Sequence, residues 1–281
     1  MPITEEDGTP KYFHGHHESV LRSHGWRTAQ NSCAYLLPHL LPNMHILDIG
    51  CGPGTITNDL AALVPSGSVI GIDPSEDVLQ KARENASVRG VTNVSYAKGD
   101  IFHLDFPDGT FDVVHVHQVL QHIRDPVAAL REMKRVAKRG GEGQGGGIVA
   151  VRESIYDRFI WYPESVGIEE WNRMYTQVAK SIGTEPNAGR MLHVWAREAG
   201  FDMKKVKCSV SCWCYSGEED RKWWSQLWAD RTVKSNFANV ALEKGLASEE
   251  SLQDIKKNWL EFGEHEDAWF VVPSGEILCA V

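Results

Sequence analysis

Asp48-Ile49-Gly50-Cys51-Gly52-Pro53-Gly54 closes one apolar run and opens a helical pattern. Glycines at 50, 52 and 54 leave out side chains where a backbone must turn sharply and let a ligand come close. Their GxGxG spacing departs from the GxGxxG turn that cradles a pyrophosphate, so it suits a cofactor without phosphates. Asp73 ends the next apolar run, GSVIGIDPS, 19 residues after Gly54. A carboxylate there can accept hydrogen bonds from both hydroxyls of a ribose. Gly99-Asp100-Ile101 follows a third run, where Asp100 could take an adenine amino group and Ile101 could pack on the ring. Each feature alone is a common turn motif. Three at successive strand ends, on the edge where open α/β sheets bind ligands, point to one nucleoside-bearing cofactor.

The elements that must position them read as alternating strands and helices from Met44 to about Glu153, the pattern of βαβ units in a mostly parallel sheet. HILDIG, SVIGID, VSYAKGD, FDVVHVH and GIVAVRE are the five strands in order. Helices are expected near Thr57 to Leu63, Glu76 to Arg89 and Pro126 to Lys138, the second capped at Pro74-Ser75. Ser19 to Leu41 reads as one or two helices covering the cofactor, and Arg139 to Gly147, with six glycines in nine residues, as a surface loop. After Glu153, helices are expected over Ser165 to Gly183, Ala188 to Gly200 and most of Asp220 to Gly263, with strands at DMKKVKCSVSCWCY and EILCAV. The expected organisation is an N-terminal helical cover (1–43), a cofactor-binding core (44–153), and a remainder (154–281) of the same domain carrying helical lid insertions.

With 281 residues, 42% hydrophobic and 24% charged, the chain can bury a sizeable core as one large domain. A net charge of −9 without a Lys/Arg cluster argues against a nucleic-acid substrate. Six scattered cysteines argue against a disulfide scaffold and for a reducing, cytoplasmic setting. The start lacks a signal-peptide pattern, and no apolar stretch approaches the ~20 residues of a membrane span.

The run from Met44 to Arg152 resembles class I S-adenosylmethionine-dependent methyltransferases, above all the ubiquinone/menaquinone-biosynthesis type and its small-molecule relatives in fungi. LDIGCGPG, GIDPS, KGDI, FDVVHVHQVLQHIRDP and LREMKRVAKRGG occur in the expected order. The resemblance implies an α/β, Rossmann-like, seven-stranded sheet and S-adenosyl-L-methionine as cofactor. It implies that Asp48 with Gly50, Cys51, Gly52 and Gly54 holds the methionine part, Asp73 with Pro74 the ribose, and Asp100 with Ile101 the adenine. His117 and Gln118 would line the methionine side. The glycine insertion at 139–147 departs from the family's short turn.

Methyl transfer needs little beyond position, because a sulfonium already activates its methyl group. Where the nucleophile needs a base, His117, His122, Glu153 and Tyr156 are the candidates. The expected acceptor is a small hydrophobic or aromatic molecule, covered by the lid and by Tyr12, Trp26, Tyr156, Trp161, Tyr175, Trp223 and Trp228. Trp213, Trp223, Trp224, Trp228 and Trp259 read more readily as core than as a pocket floor. His14, His16 and His17 lack a convincing ligand spacing, so no metal is assigned. Cys208, Cys212 and Cys214 share one strand parity, which a buried face explains best. A homodimer is compatible with the sequence. The rival readings are a non-catalytic cofactor-binding or regulatory subunit and a nicotinamide-dependent oxidoreductase.

Overall fold

Short apolar strands bounded by glycine and aspartate dominate residues 45–154, and their burial pattern shows how they are used. Among the described residues, 25–140 and 145–281, the computed structural model contains His45–Ile49 (β1), Ser68–Asp73 (β2), Val94–Lys98 (β3), Val113–His117 (β4) and Ile148–Ser154 (β5). β4 is buried at all five positions, as a strand covered on both faces must be. The five strands are parallel, in the order β3-β2-β1-β4-β5, with Ile46 level with Val69 on one side and Val113 on the other.

The chain divides into two compact units. The core unit holds His24–Ser154, Ala188–Ser211 and Ser274–Val281. Its helices are Ala29–Ser32 (α1), Thr55–Leu63 (α2), Glu76–Val88 (α3), Pro126–Val136 (α4) and Leu192–Glu198 (α6). Asp125 caps α4 by accepting the Ala128 N–H, and Pro126 occupies the first turn, where its missing donor costs nothing. Leu47 and Ile49 pack with Leu130 and Met133 of α4, whereas Ile46 packs with Leu60 of α2 and with Cys33 and Leu36. Successive residues of β1 therefore serve opposite faces.

The other unit includes Ile155–Asn187 and Cys212–Pro273. It is mostly helical: Val166–Ser181 (α5), Glu218–Lys234 (α7), Asn236–Glu243 (α8) and Glu249–Glu264 (α9), with the short strand Ile160–Tyr162 (β6). Ser165 caps α5 and Ser248 caps α9 through a reciprocal capping box. Trp171, fully buried, meets Trp228 at 4.5 Å and Trp259 at 4.8 Å, both edge-on. Tyr156 stacks on Tyr175 at 4.2 Å. These rings fill one another's gaps, so Tyr156, Tyr175 and Trp228 are consumed by packing inside this unit. The core reading of Trp224, Trp228 and Trp259 holds, each being at most 5% exposed.

Val206–Tyr215 (β7) and Trp269–Ala280 (β8) are long strands whose residues are shared between the units. In the core unit, Ser274–Ala280 runs antiparallel to β5, with Arg152 level with Glu276, and β7 pairs with β8. The seven strands implied by the resemblance are thus present, and β6 is an additional strand paired with Trp269–Val271. No described helix is long and apolar enough to cross a membrane.

Several expectations need correction. Cys208, Cys212 and Cys214 are exposed, because Trp213 and Tyr215 take the buried parity of β7 and bury far more area than a thiol. The final strand begins at Trp269, well before Glu276. Ser75 stands at the start of α3 but its hydroxyl makes no cap. In 25–41 the chain forms α1 and a single turn at Leu37–His39, with Gly25 also helical, while 19–24 of the expected helical cover lie outside the described residues. Residues 1–24, with Tyr12, His14, His16 and His17, and residues 141–144 of the glycine-rich loop lie outside the described residues.

Candidate functional site

At the carboxyl edge of the core unit's sheet, β1 turns into α2 through three glycines with positive φ: 68° at Gly50, 55° at Gly52 and 76° at Gly54. Space matters as much as dihedral angle here. A Cβ on Gly50 would lie 2.5 Å from Val119 Cγ2, and one on Gly54 would meet the Tyr96 phenol, with Cζ at 2.8 Å. The turn is therefore pressed against the loop that leaves β4 on one side and against β3 on the other. Gly50→Ala is expected to cost about 1–3 kcal/mol in denaturant unfolding, from strained φ and the displaced Val119. A cost below about 0.5 kcal/mol would show that Val119 yields freely.

Asp48 is 3% exposed and works from beneath the turn. Its carboxylate accepts from Thr57 Oγ1 at 2.6 Å and meets His115 Nδ1 at 2.7 Å. Both oxygens are engaged inside the protein, so Asp48 anchors the start of α2 to β4. Asp73, at the end of β2, is half-buried and accepts the Gly52 N–H at 3.2 Å and the Ser75 N–H at 3.0 Å. It is thereby fixed at the rim of the glycine turn, and Pro74 beside it is exposed. Asp100 is exposed, accepts the Phe102 N–H at 2.9 Å and faces His103 at 3.5 Å, while Ile101 is buried. The three strand-end aspartates therefore differ in burial, with Asp73 and Asp100 left accessible to a ligand.

The exit of β4 carries the backbone anomaly of this edge. Gln118 has φ of 55°, the one non-glycine in the left-handed region among the described residues. Its side-chain Oε1 accepts from Arg27 Nη2 at 2.6 Å and its Nε2 donates to Ser154 Oγ at 2.6 Å. Beyond it, Glu153 accepts the N–H groups of Val119 at 2.9 Å, Leu120 at 2.7 Å and Gln121 at 3.4 Å. Burial pushes the Glu153 carboxyl up to about 8, opposed by those three N–H groups and by Arg27. Glu153, expected among the candidate bases, is wholly buried with both oxygens on main-chain N–H groups, an arrangement that shapes the loop. His117 is buried at the end of β4, and His122 lies half-buried with its Nε2 3.2 Å from Gln121 Nε2. Tyr156 belongs to the aromatic core described above.

A cavity of about 320 Å³ opens at the first turn of α2, lined by Arg27, Thr28, Thr55, Asn58, Asp59, Asn85 and Arg89. Asn58 is fully buried; its Oδ1 accepts from the Tyr96 hydroxyl at 2.8 Å, and its Nδ2 has no partner. An unpaired buried amide beside a helix N-terminus and an arginine suits an anionic or carbonyl oxygen. A larger cavity, about 460 Å³, lies at the amino edge of the sheet beside Arg131, Lys134 and Arg139. There Arg131 donates to the Glu198 carbonyl and Lys134 to that of Gly200, so these cations tie α4 to the end of α6.

Sequence reasoning missed Arg27, Asn58, His115 and Ser154. Only His115 left a local signal, sharing the parity of His117 on a strand with no exposed face.

Residues 40–200 match the model of a methyltransferase domain family. An uncharacterized methyltransferase of Schizosaccharomyces pombe is 36% identical over 275 residues, covering 95% of both chains. A demethylmenaquinone methyltransferase of Anoxybacillus flavithermus is 41% identical over 169 residues, 57% of this chain and 71% of the relative. Among solved structures, that of a proposed methyltransferase from Bacillus halodurans C-125 superposes with a TM-score of 0.54 at 21% identity, covering 88% of this chain and 97% of that one.

Proposed function

From the premise that the chain belongs to the methyltransferase-domain family, we propose that it transfers a methyl group from S-adenosylmethionine to a small hydrophobic or aromatic acceptor by in-line displacement. It is an S-adenosylmethionine-dependent methyltransferase. When bound, the cofactor supplies a sulfonium whose methyl group needs no further activation by the protein. The residues present suit it. The glycine turn admits backbone approach, and Asp73 offers an accessible carboxylate for a ribose diol. Asp100 and Ile101 offer a carboxylate and an apolar surface for an adenine. The first-turn N–H groups of α2, at the cavity beside Thr55, offer donors for the carboxylate of an amino-acid moiety.

The observation that carries this reading is Asp73, half-buried at the end of β2 and fixed at the rim of the glycine turn by the Gly52 and Ser75 N–H groups. The chain's own part in the chemistry is to bind, orient and exclude water; a nucleophile placed roughly 3 Å from the methyl carbon then reacts without a dedicated base. The net charge of −9 supports a small molecule over a nucleic acid as acceptor.

Calorimetry tests the reading. S-adenosylmethionine and S-adenosylhomocysteine are expected to bind in the micromolar range and nicotinamide dinucleotides not at all. Asp73→Ala is expected to weaken binding by roughly 1.5–3 kcal/mol, the scale of hydrogen bonds to a charged group. Unchanged affinity in a folded variant would place the ribose elsewhere. Incubating the enzyme with labelled cofactor and metabolite extracts, with masses read before and after, identifies the acceptor. No labelled product from any small-molecule fraction would count against the acceptor class.

A further inference from the structure

Gln118 is a residue held in a conformation its side chain disfavours. A left-handed backbone at a non-glycine residue costs of order 1 kcal/mol and persists only where the surroundings over-determine it. Here three contacts do so. The Gln118 N–H continues the ladder to the Arg152 carbonyl at 2.8 Å. Its amide is fixed at both ends, since Oε1 can only accept from the Arg27 guanidinium and Nε2 must then face Ser154 Oγ. The next residue, Val119, sits where a Cβ on Gly50 would be and is held there by Glu153.

We infer that Arg27, Gln118 and Ser154 form a clamp that sets the exit of β4 against the glycine turn, with Arg27 acting on cofactor affinity as a positioning residue through Gln118. The inference rests on the cofactor reading above. The chemistry is specific: the bond from Arg27 is charge-assisted and short, and it removes the freedom of the Gln118 amide to flip. Ser154, itself buried, accepts from Gln118 and fixes the far end of that amide. All three residues belong to the core unit, although 91 residues separate Arg27 from Gln118 and 36 separate Gln118 from Ser154.

The test is a double-mutant cycle read as the Kd for S-adenosylhomocysteine, with thermal unfolding of the ligand-free protein alongside. Arg27→Met and Gln118→Leu are each expected to weaken binding about tenfold. The double variant should bind no more weakly than Gln118→Leu alone, because the effect of Arg27 passes through Gln118. Gln118→Gly separates positioning from folding: glycine relieves the strained φ, so unfolding temperature should hold or rise while binding still weakens about tenfold. Gln118→Glu, which can keep both neighbours, should bind within about twofold of the original protein. Additive losses in the cycle, meaning that Arg27 touches the ligand itself, would overturn the clamp. So would unchanged binding in either single variant, or a glycine variant that unfolds earlier. If the unaltered protein fails to bind S-adenosylhomocysteine, the cofactor reading falls and the clamp with it; binding with additive losses removes the clamp alone.

Discussion

Glu153→Gln is expected to remove most of a fall in stability that the unaltered protein shows between about pH 4.5 and pH 8. Burial raises the carboxyl of Glu153 in the folded chain from its ordinary 4.5 to about 8. Across that window the folded protein keeps a proton that the unfolded chain releases. Stability is therefore fully present below about pH 4.5 and declines as pH rises towards 8, by about 5 kcal/mol at most for so large a shift. Glutamine holds no titrating proton, and its carbonyl can still accept the Val119 and Leu120 N–H groups that Glu153 Oε1 now takes. Urea midpoints at pH 5, 6.5 and 8 measure the effect. A variant whose midpoints track those of the unaltered protein would mean that some other group binds the proton.

Trp171→Ala is expected to destabilise the protein by about 3–5 kcal/mol, the range for deleting a large buried aromatic ring. The ring is fully buried and touches Phe159, Tyr175, Trp228, Trp259 and Phe270. Truncation leaves a hole that rigid neighbouring rings cannot collapse into. Trp171→Phe should cost far less, about 1–2 kcal/mol, since the indole N–H has no hydrogen-bond partner to lose. Equal costs for the two substitutions, measured by circular dichroism in denaturant, would show that the indole N–H has a role its surroundings do not reveal.

The strands and their ligand-bearing ends were legible because each is written locally. An apolar run of five residues, a glycine whose φ must be positive and an aspartate at the edge all lie within one short window, as at 45–54 and 68–75. Asp48 was legible as important but not in its role, since Thr57 and His115 come to it from α2 and β4. Glu153 read as one of four candidate bases because sequence shows a carboxylate at a strand end. Its three N–H partners appear only once the loop after β4 folds back. The cysteines of β7 were assigned to the wrong face because parity says which residues share a side and not which side is covered. Trp213 and Tyr215, on the alternate positions, decided it. Arg27, in an otherwise unremarkable polar stretch, could not be linked to a strand end 91 residues away.

The aromatic layer around Trp171 also makes the molecule optically lopsided. Of the ten tryptophans, all but Trp26 and Trp195 fall in the mostly helical unit. Several lie with ring centroids 4.5–6.2 Å apart. Intrinsic fluorescence and near-ultraviolet dichroism will thus report mainly on that unit, with transitions of neighbouring indoles coupled. The β-sheet contributes instead to the far-ultraviolet signal. Following both through a denaturant titration turns the uneven distribution into a built-in pair of probes, and any gap between the two midpoints measures how cooperatively the two units unfold.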